Sequence, residues 1–171
     1  MSTKSRGLVY LDETESEVWR AFRELVRHVG SSISSDLVAD SGLSDADYSV
    51  LSNLSERSGD EMRVLELAER LSWSKGRTSH QIVRMERRGL VARRPHVLDG
   101  RGSVVVLTPA GRAKIEAAAP PHVASVRRHF LDLLDERDRR ALMRLAGHAS
   151  SFVPGTPPTN PRGPAAVTEG R

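Results

Sequence analysis

The feature that most constrains the fold lies between Val64 and Arg88, where two stretches of helical period are separated by only Ser72-Trp73-Ser74. Leu65, Ala68 and Leu71 recur at three-residue steps and mark a first short helix. Ser74 is placed to cap a second helix, which runs to Arg88 and is stopped by Gly89. Two short helices joined by a tight turn are the outline of a helix-turn-helix. Leu90 to Arg94 then reads as a strand, Asp99-Gly100-Arg101-Gly102 as a hairpin turn, and Ser103 to Leu107 as the β-branched returning strand. A hairpin directly behind the second helix forms a wing.

The flanks are helical. From Asp12 to about Val38, Val18, Trp19, Phe22, Leu25, Val26 and Val29 follow a three-and-four spacing. Asp12, Glu13, Glu15 and Glu17 crowd the start of this segment, where the helix dipole favours acids. Ser44, with Asp47 closing a box-like pattern, announces a second helix carrying Tyr48, Leu51 and Leu54 inward, and Ser58-Gly59-Asp60 ends it. Glu61-Met62-Arg63 suits a short strand. Thr108 and Pro109 start a further helix with Ile115 and Ala118, then Val123, Val126, Phe130, Leu133 and Leu134, which Pro120-Pro121 should kink or split. Asp135 caps a last helix with Leu142, Leu145 and Ala146 inward. The expected class is mainly α with a small β-hairpin wing. Residues 12–150 make one domain, with the winged helix-turn-helix at about 44–108 and long helices at about 12–38 and 109–150. Residues 1–11 are expected to be flexible. Residues 151–171 are expected to be disordered, because five of the nine prolines fall between Pro154 and Pro164.

Charge is concentrated rather than spread. Between Lys75 and Arg101 eight basic side chains face only Glu86 and Asp99, in a chain whose formal net charge is +4. The absence of cysteine removes disulfides, thiolate metal sites and thiol redox sensing. No signal-peptide pattern follows Met1–Arg6, and no apolar run approaches the roughly 18 residues of a membrane span. A soluble, cytoplasmic protein is expected.

With Thr78, Ile82 and Met85 taken as the buried side of the second helix, the opposite side carries Gly76, Arg77, His80, Val83, Arg84 and Arg87. Such a face suits the major groove. Gly76 lets the backbone approach DNA closely, and Arg77 and His80 can donate to guanine or phosphate acceptors. Ser74, Lys75, Ser79, Arg84 and Arg87 can bond phosphates. Arg101, at the hairpin apex, can enter a minor groove, and Asp99 can hold an arginine in position or simply make the turn. A merely solvated helix face is the plainer reading of the same arginines.

The order of elements, with Leu67-Ala68-Glu69-Arg70-Leu71, Arg84-Met85-Glu86-Arg87-Arg88-Gly89-Leu90-Val91, Asp99-Gly100-Arg101-Gly102 and Val106-Leu107-Thr108-Pro109-Ala110-Gly111-Arg112, resembles the MarR family of bacterial regulators over about residues 12–150. The resemblance implies a dimer built from the first and last helices, pseudo-palindromic operators on double-stranded DNA, and a small phenolic or other aromatic ligand that relieves repression. The residues matching the family's DNA-contact positions are Ser74, Lys75, Arg77, Ser79, His80, Arg84 and Arg101. A surplus of apolar residues in the terminal helices supports the dimer independently.

Trp19, Phe22, His28 and Tyr48 could line a ligand pocket, or could be plain core. The six histidines, His28, His80, His96, His122, His129 and His148, invite a metal-responsive reading, but none forms a tight local pair, and no metal site or cofactor is assigned. There is no Gly-rich phosphate loop, nucleophile elbow or HExxH, so no catalytic residues are expected. A winged helix used as a protein-interaction module is the remaining alternative; such modules often make the outward face of this helix acidic or apolar.

Overall fold

The computed structural model describes residues 10–96 and 99–150, and the side chains of 96–102 and 150 fall outside that description. Of the segments expected to lack fixed structure, 1–9 and 151–171 lie outside the described residues. The chain divides into two compact units, one ending at Leu131 and one beginning at Asp132.

The first unit opens with helix α1 (Glu13–Ser41). Its start is set by a reciprocal box: the Asp12 carboxylate accepts from the Glu15 N–H at 2.8 Å, and the Glu15 carboxylate accepts from the Asp12 N–H at 3.0 Å. It runs three residues past the expected end at Val38 and stops at Gly42, whose φ of +63° is natural to glycine. Only Leu37 of this helix is buried. Val18, Trp19, Phe22, Leu25 and Val26 of its apolar stripe lie open, from 47% exposed at Leu25 to 65% at Val18.

Helix α2 (Asp45–Ser55) begins at the expected Ser44 box and buries Val50, Leu51 and Leu54 completely. Strand β1 (Glu61–Arg63) leads into α3 (Val64–Arg70) and α4 (Lys75–Arg87). In α3 the buried positions are Leu67 and Ala68, whereas Leu65 is half exposed. The expected stripe through Leu65 is thus corrected by about one residue: three-residue steps drift from a 3.6-residue period, and over seven residues the pattern could not distinguish the two.

Strands β2 (Val91–His96) and β3 (Asp99–Leu107) complete a three-stranded antiparallel sheet in the order β1-β3-β2. Met62 pairs with Val105 and Val91 with Leu107. Pro95 is tolerated in β2 because that strand is an edge. The core gathers Leu43, Leu51, Leu54, Leu67, Ile82, Met85 and Val105 between the helices and this sheet.

Helix α5 (Pro109–His129) starts at Thr108, whose hydroxyl accepts from the Gly111 N–H at 3.0 Å. Gly111 lies so close to the backbone just before β2 that a Cβ there would fall 2.0 Å from the Leu90 carbonyl oxygen. The expected split at Pro120-Pro121 does not occur, and the helix is continuous for 21 residues. The two prolines remove two backbone donors, but α5 packs along α1 and against α2, with Ile115, Ala118 and Ser125 buried on both sides of the pair. It ends at Phe130, and Leu131–Leu133 form a 3₁₀ turn rather than more helix.

The second unit holds α6 (Glu136–Ser150). Asp135 caps it as expected, accepting from the Asp138 N–H at 2.8 Å. Leu142 and Leu145, expected inward, are 43% and 58% exposed, with Met143 beside them at 66%. No helix among the described residues is long and apolar enough to cross a membrane.

Candidate nucleic-acid interface

The turn between α3 and α4 is built by two caps in succession. Ser72 takes a left-handed conformation, φ +53°, which lets its N–H reach the Glu69 carbonyl at 3.0 Å and the Trp73 N–H reach that of Ala68 at 2.9 Å. This is a Schellman motif with serine in the glycine position. One residue later Ser74 starts α4, its hydroxyl accepting from the Arg77 N–H at 3.2 Å. The same motif closes α4, at Gly89 with φ +69°.

The inner face of α4 is Thr78, Gln81, Ile82 and Met85, all buried; Gln81 was not anticipated. It donates to Asp47 Oδ1 at 2.8 Å, while Arg88 donates to Asp47 Oδ2 at 2.7 Å and to the Gly42 carbonyl at 3.3 Å. Burial alone would raise the Asp47 carboxyl, but the Arg88 guanidinium and the Ser44 hydrogen bonds outweigh it and hold it below its ordinary value. The start of α2 is thereby fixed to the middle and the C-terminal end of α4 through one carboxylate. Nothing in the local sequence pattern marks this link, because its partners lie 34 and 41 residues apart.

The basic segment divides into two groups. Arg88 is committed to Asp47, Arg93 to Glu86 and the Ser79 carbonyl, and Arg94 to Glu61. Lys75, Arg77, Arg84 and Arg87 are exposed, and among the described residues their charged groups carry no ion pair or hydrogen bond. His80 is exposed beside them, and Ser79 and Val83 are partly so. Gly76 sits in the first turn, where an added Cβ would meet nothing within 4 Å, so the protein's own packing does not require glycine there. Arg77 has one partner of another kind, the ring of Trp73, 4.3 Å from its guanidinium carbon. Sequence reading passed over Trp73, although a tryptophan four residues before an arginine at a helix start is a usable signal.

In the wing the turn lies elsewhere than expected. Asp99 already belongs to β3 and is in register with His96, so residues 99–102 lie in the strand and do not form the expected turn. The hairpin signal was misplaced because glycines at 100 and 102 sit inside the strand. The side chains of Asp99 and Arg101 lie outside the described residues.

The four candidate ligand residues do not share one surrounding. Trp19 and Phe22 stack on each other on the open face of α1, with ring centroids 5.7 Å apart; His28 is exposed on the same helix. Tyr48 instead lies against His122 of α5, centroids 4.1 Å apart. The pair borders a cleft of about 330 Å³ with Leu37, Ser52, Asn53 and Leu71. His122 Nδ1 is buried there with no hydrogen-bond partner, and burial, helped by Glu56, raises the Tyr48 hydroxyl above its ordinary value, so it stays a neutral donor. Among the described residues no group of three or more His, Asp or Glu side chains could hold a metal ion.

Comparison with known proteins places these features. A sequence model of the MarR family matches residues 41–102. AbsC, a MarR family transcriptional regulator from Streptomyces coelicolor, is 42% identical, with 85% of this chain and 100% of that one covered at a TM-score of 0.77. Sco3205, a MarR family regulator from the same organism in complex with DNA, is 28% identical over 86% of this chain and 94% of its own, at 0.78. BpsR of Bordetella bronchiseptica, whose DNA binding is regulated by 6-hydroxynicotinic acid, is 26% identical over 78% and 98%, at 0.65.

Proposed function

The chain belongs to the MarR family of winged helix-turn-helix transcriptional regulators, and from that premise we propose that it is a homodimeric repressor that releases a pseudo-palindromic operator on taking up a small aromatic ligand. The observation that carries the DNA reading is the division of the cations. Four on α4 have no ion pair or hydrogen bond to their charged groups among the described residues, while Arg88, Arg93 and Arg94 are internally paired. Unpaired cations on the exposed face of a rigidly anchored helix suit a polyanion. Arg77 and His80 are assigned to base edges, Ser74, Lys75, Ser79, Arg84 and Arg87 to phosphates, and Arg101 to the minor groove. Sco3205, bound to DNA, supports the same use of this fold.

The dimer reading rests on apolar surface left open. The α1 stripe, and separately the Leu142, Met143 and Leu145 face of α6, leave large apolar side chains open to solvent, which is the kind of surface that marks a protein–protein contact. Two α4 helices about 34 Å apart would then read a two-fold site. The cleft at Tyr48 and His122 supports a ligand of aromatic character with hydrogen-bonding groups, and BpsR offers a precedent in the family. Such a ligand acts only through unequal affinity for two states of the dimer. No catalytic activity or cofactor is assigned, and the site of action is the cytoplasm, where the DNA is. A protein-interaction role is disfavoured by the basic α4 face.

The test is selection of bound sequences from a random duplex pool at about 150 mM salt, where non-specific attraction is weakened. An inverted repeat with half-sites about ten base pairs apart is expected. Recovery of no motif would sink the reading.

A further inference from the structure

The geometry points to Trp73 as a positioning residue for sequence discrimination: its indole holds the Arg77 guanidinium in place at the start of α4. The inference rests on the reading of Arg77 as a base contact and extends it to a residue that acts through Arg77.

Trp73 is itself fixed from two sides. Its N–H is bound to the Ala68 carbonyl at the end of α3, the next residue is the N-cap of α4, and its side chain is half-buried against the core cluster. The ring is therefore a rigid platform. Arg77 reaches back over it, 4.3 Å from guanidinium carbon to ring centroid, and among the described residues its guanidinium makes no other polar contact. Tryptophan presents the strongest quadrupole of the aromatic rings to a cation. A guanidinium lying over a ring uses its face, while its five N–H donors lie in its plane and stay available at the edge. The edge is the part that pairs with guanine O6 and N7. Stacking thus removes rotamer freedom before DNA arrives and leaves the recognising groups open. Among the described residues Arg84 and Arg87 have no such platform, which separates them, as phosphate contacts, from Arg77.

The experiment measures affinity of the full-length protein for the selected operator and for a scrambled duplex, and takes the ratio. Trp73→Leu, which keeps apolar bulk but has no π face, is expected to lower the ratio by about three- to tenfold. Trp73→Phe should hold it close to its starting value, and adding Trp73→Leu to Arg77→Ala should lower it no further than Arg77→Ala alone. Tryptophan emission gives a second readout, independent of whether the leucine variant folds: Arg77→Ala should shift it. An unchanged ratio for Trp73→Leu beside a reduced one for Arg77→Ala overturns the positioning role alone. Equal weakening on both duplexes, or an undiminished loss in the Arg77→Ala background, marks Trp73 as merely structural and also overturns it. An unchanged emission spectrum does the same. An unchanged ratio for Arg77→Ala overturns the base-contact reading and this inference together.

Discussion

Asp47, three residues into α2, and Arg88, the residue that closes α4, form an ion pair of 2.7 Å across 41 residues of sequence. The carboxylate is only 4% exposed, whereas the guanidinium is 42% exposed, so the two partners respond differently to loss. Asp47→Ala removes a capping acceptor and leaves Gln81 buried without its partner. A destabilisation of about 2–4 kcal/mol is expected, read from the urea midpoint, with operator affinity falling in step because α4 loses its anchor. Asp47→Asn, which retains an acceptor for Gln81, should cost less.

Gly76 separates folding from binding. Glycine in a helix is less favourable than alanine by about 0.5–1 kcal/mol, and a Cβ here meets no protein atom. Gly76→Ala should therefore raise the melting temperature while weakening operator binding by about tenfold, the loss of a close backbone approach. Improved stability with unchanged affinity would remove Gly76 from the interface.

Arg87 and Arg93 should differ although both belong to the basic segment. Arg87→Ala is expected to weaken operator and unrelated DNA alike and to flatten the plot of log affinity against log salt by about one unit. Arg93 is bound to Glu86 and to the Ser79 carbonyl, so Arg93→Ala should leave that slope unchanged and act on stability instead.

Acid should loosen the junction of α1 and α5. Asp36 accepts from Ser125 at 2.7 Å and Arg128 at 2.6 Å and lies 2.9 Å from His129 Nε2; these bonds, Ser125 first, lower its pKa to about 2. Because the folded value lies below the unfolded one of about 3.9, the contribution is complete above the unfolded value and is lost as pH falls through about 2. Asp47 acts in the same direction. The urea midpoint should drop between pH of about 4 and about 2, and Asp36→Asn should flatten that drop. An equal drop in the variant would show that Asp36 does not contribute.

What was legible in the sequence is what local physics encodes. Capping residues Ser44, Ser74, Thr108 and Asp135 satisfy backbone donors three residues on, so they marked helix starts correctly. The buried triplet Thr78, Ile82 and Met85 followed from helical period alone, and with it the outward face bearing Arg77, His80, Arg84 and Arg87.

Tertiary structure decided the rest, wherever the deciding partner is distant in sequence or belongs to another surface. Periodicity marks Val18, Trp19 and Phe22 as one apolar face but cannot say what covers it, and among the described residues of the first unit nothing does. Pro120-Pro121 should break an isolated helix; packing of α5 along α1 and α2 carries it through. The glycines at 100 and 102 looked like a turn, yet strand register put them inside β3. Most of all, composition could only count the arginines of the basic segment. Which of them are spent on Asp47, Glu86 and Glu61, and which are left without an ion pair, depends on carboxylates that the fold alone brings within reach.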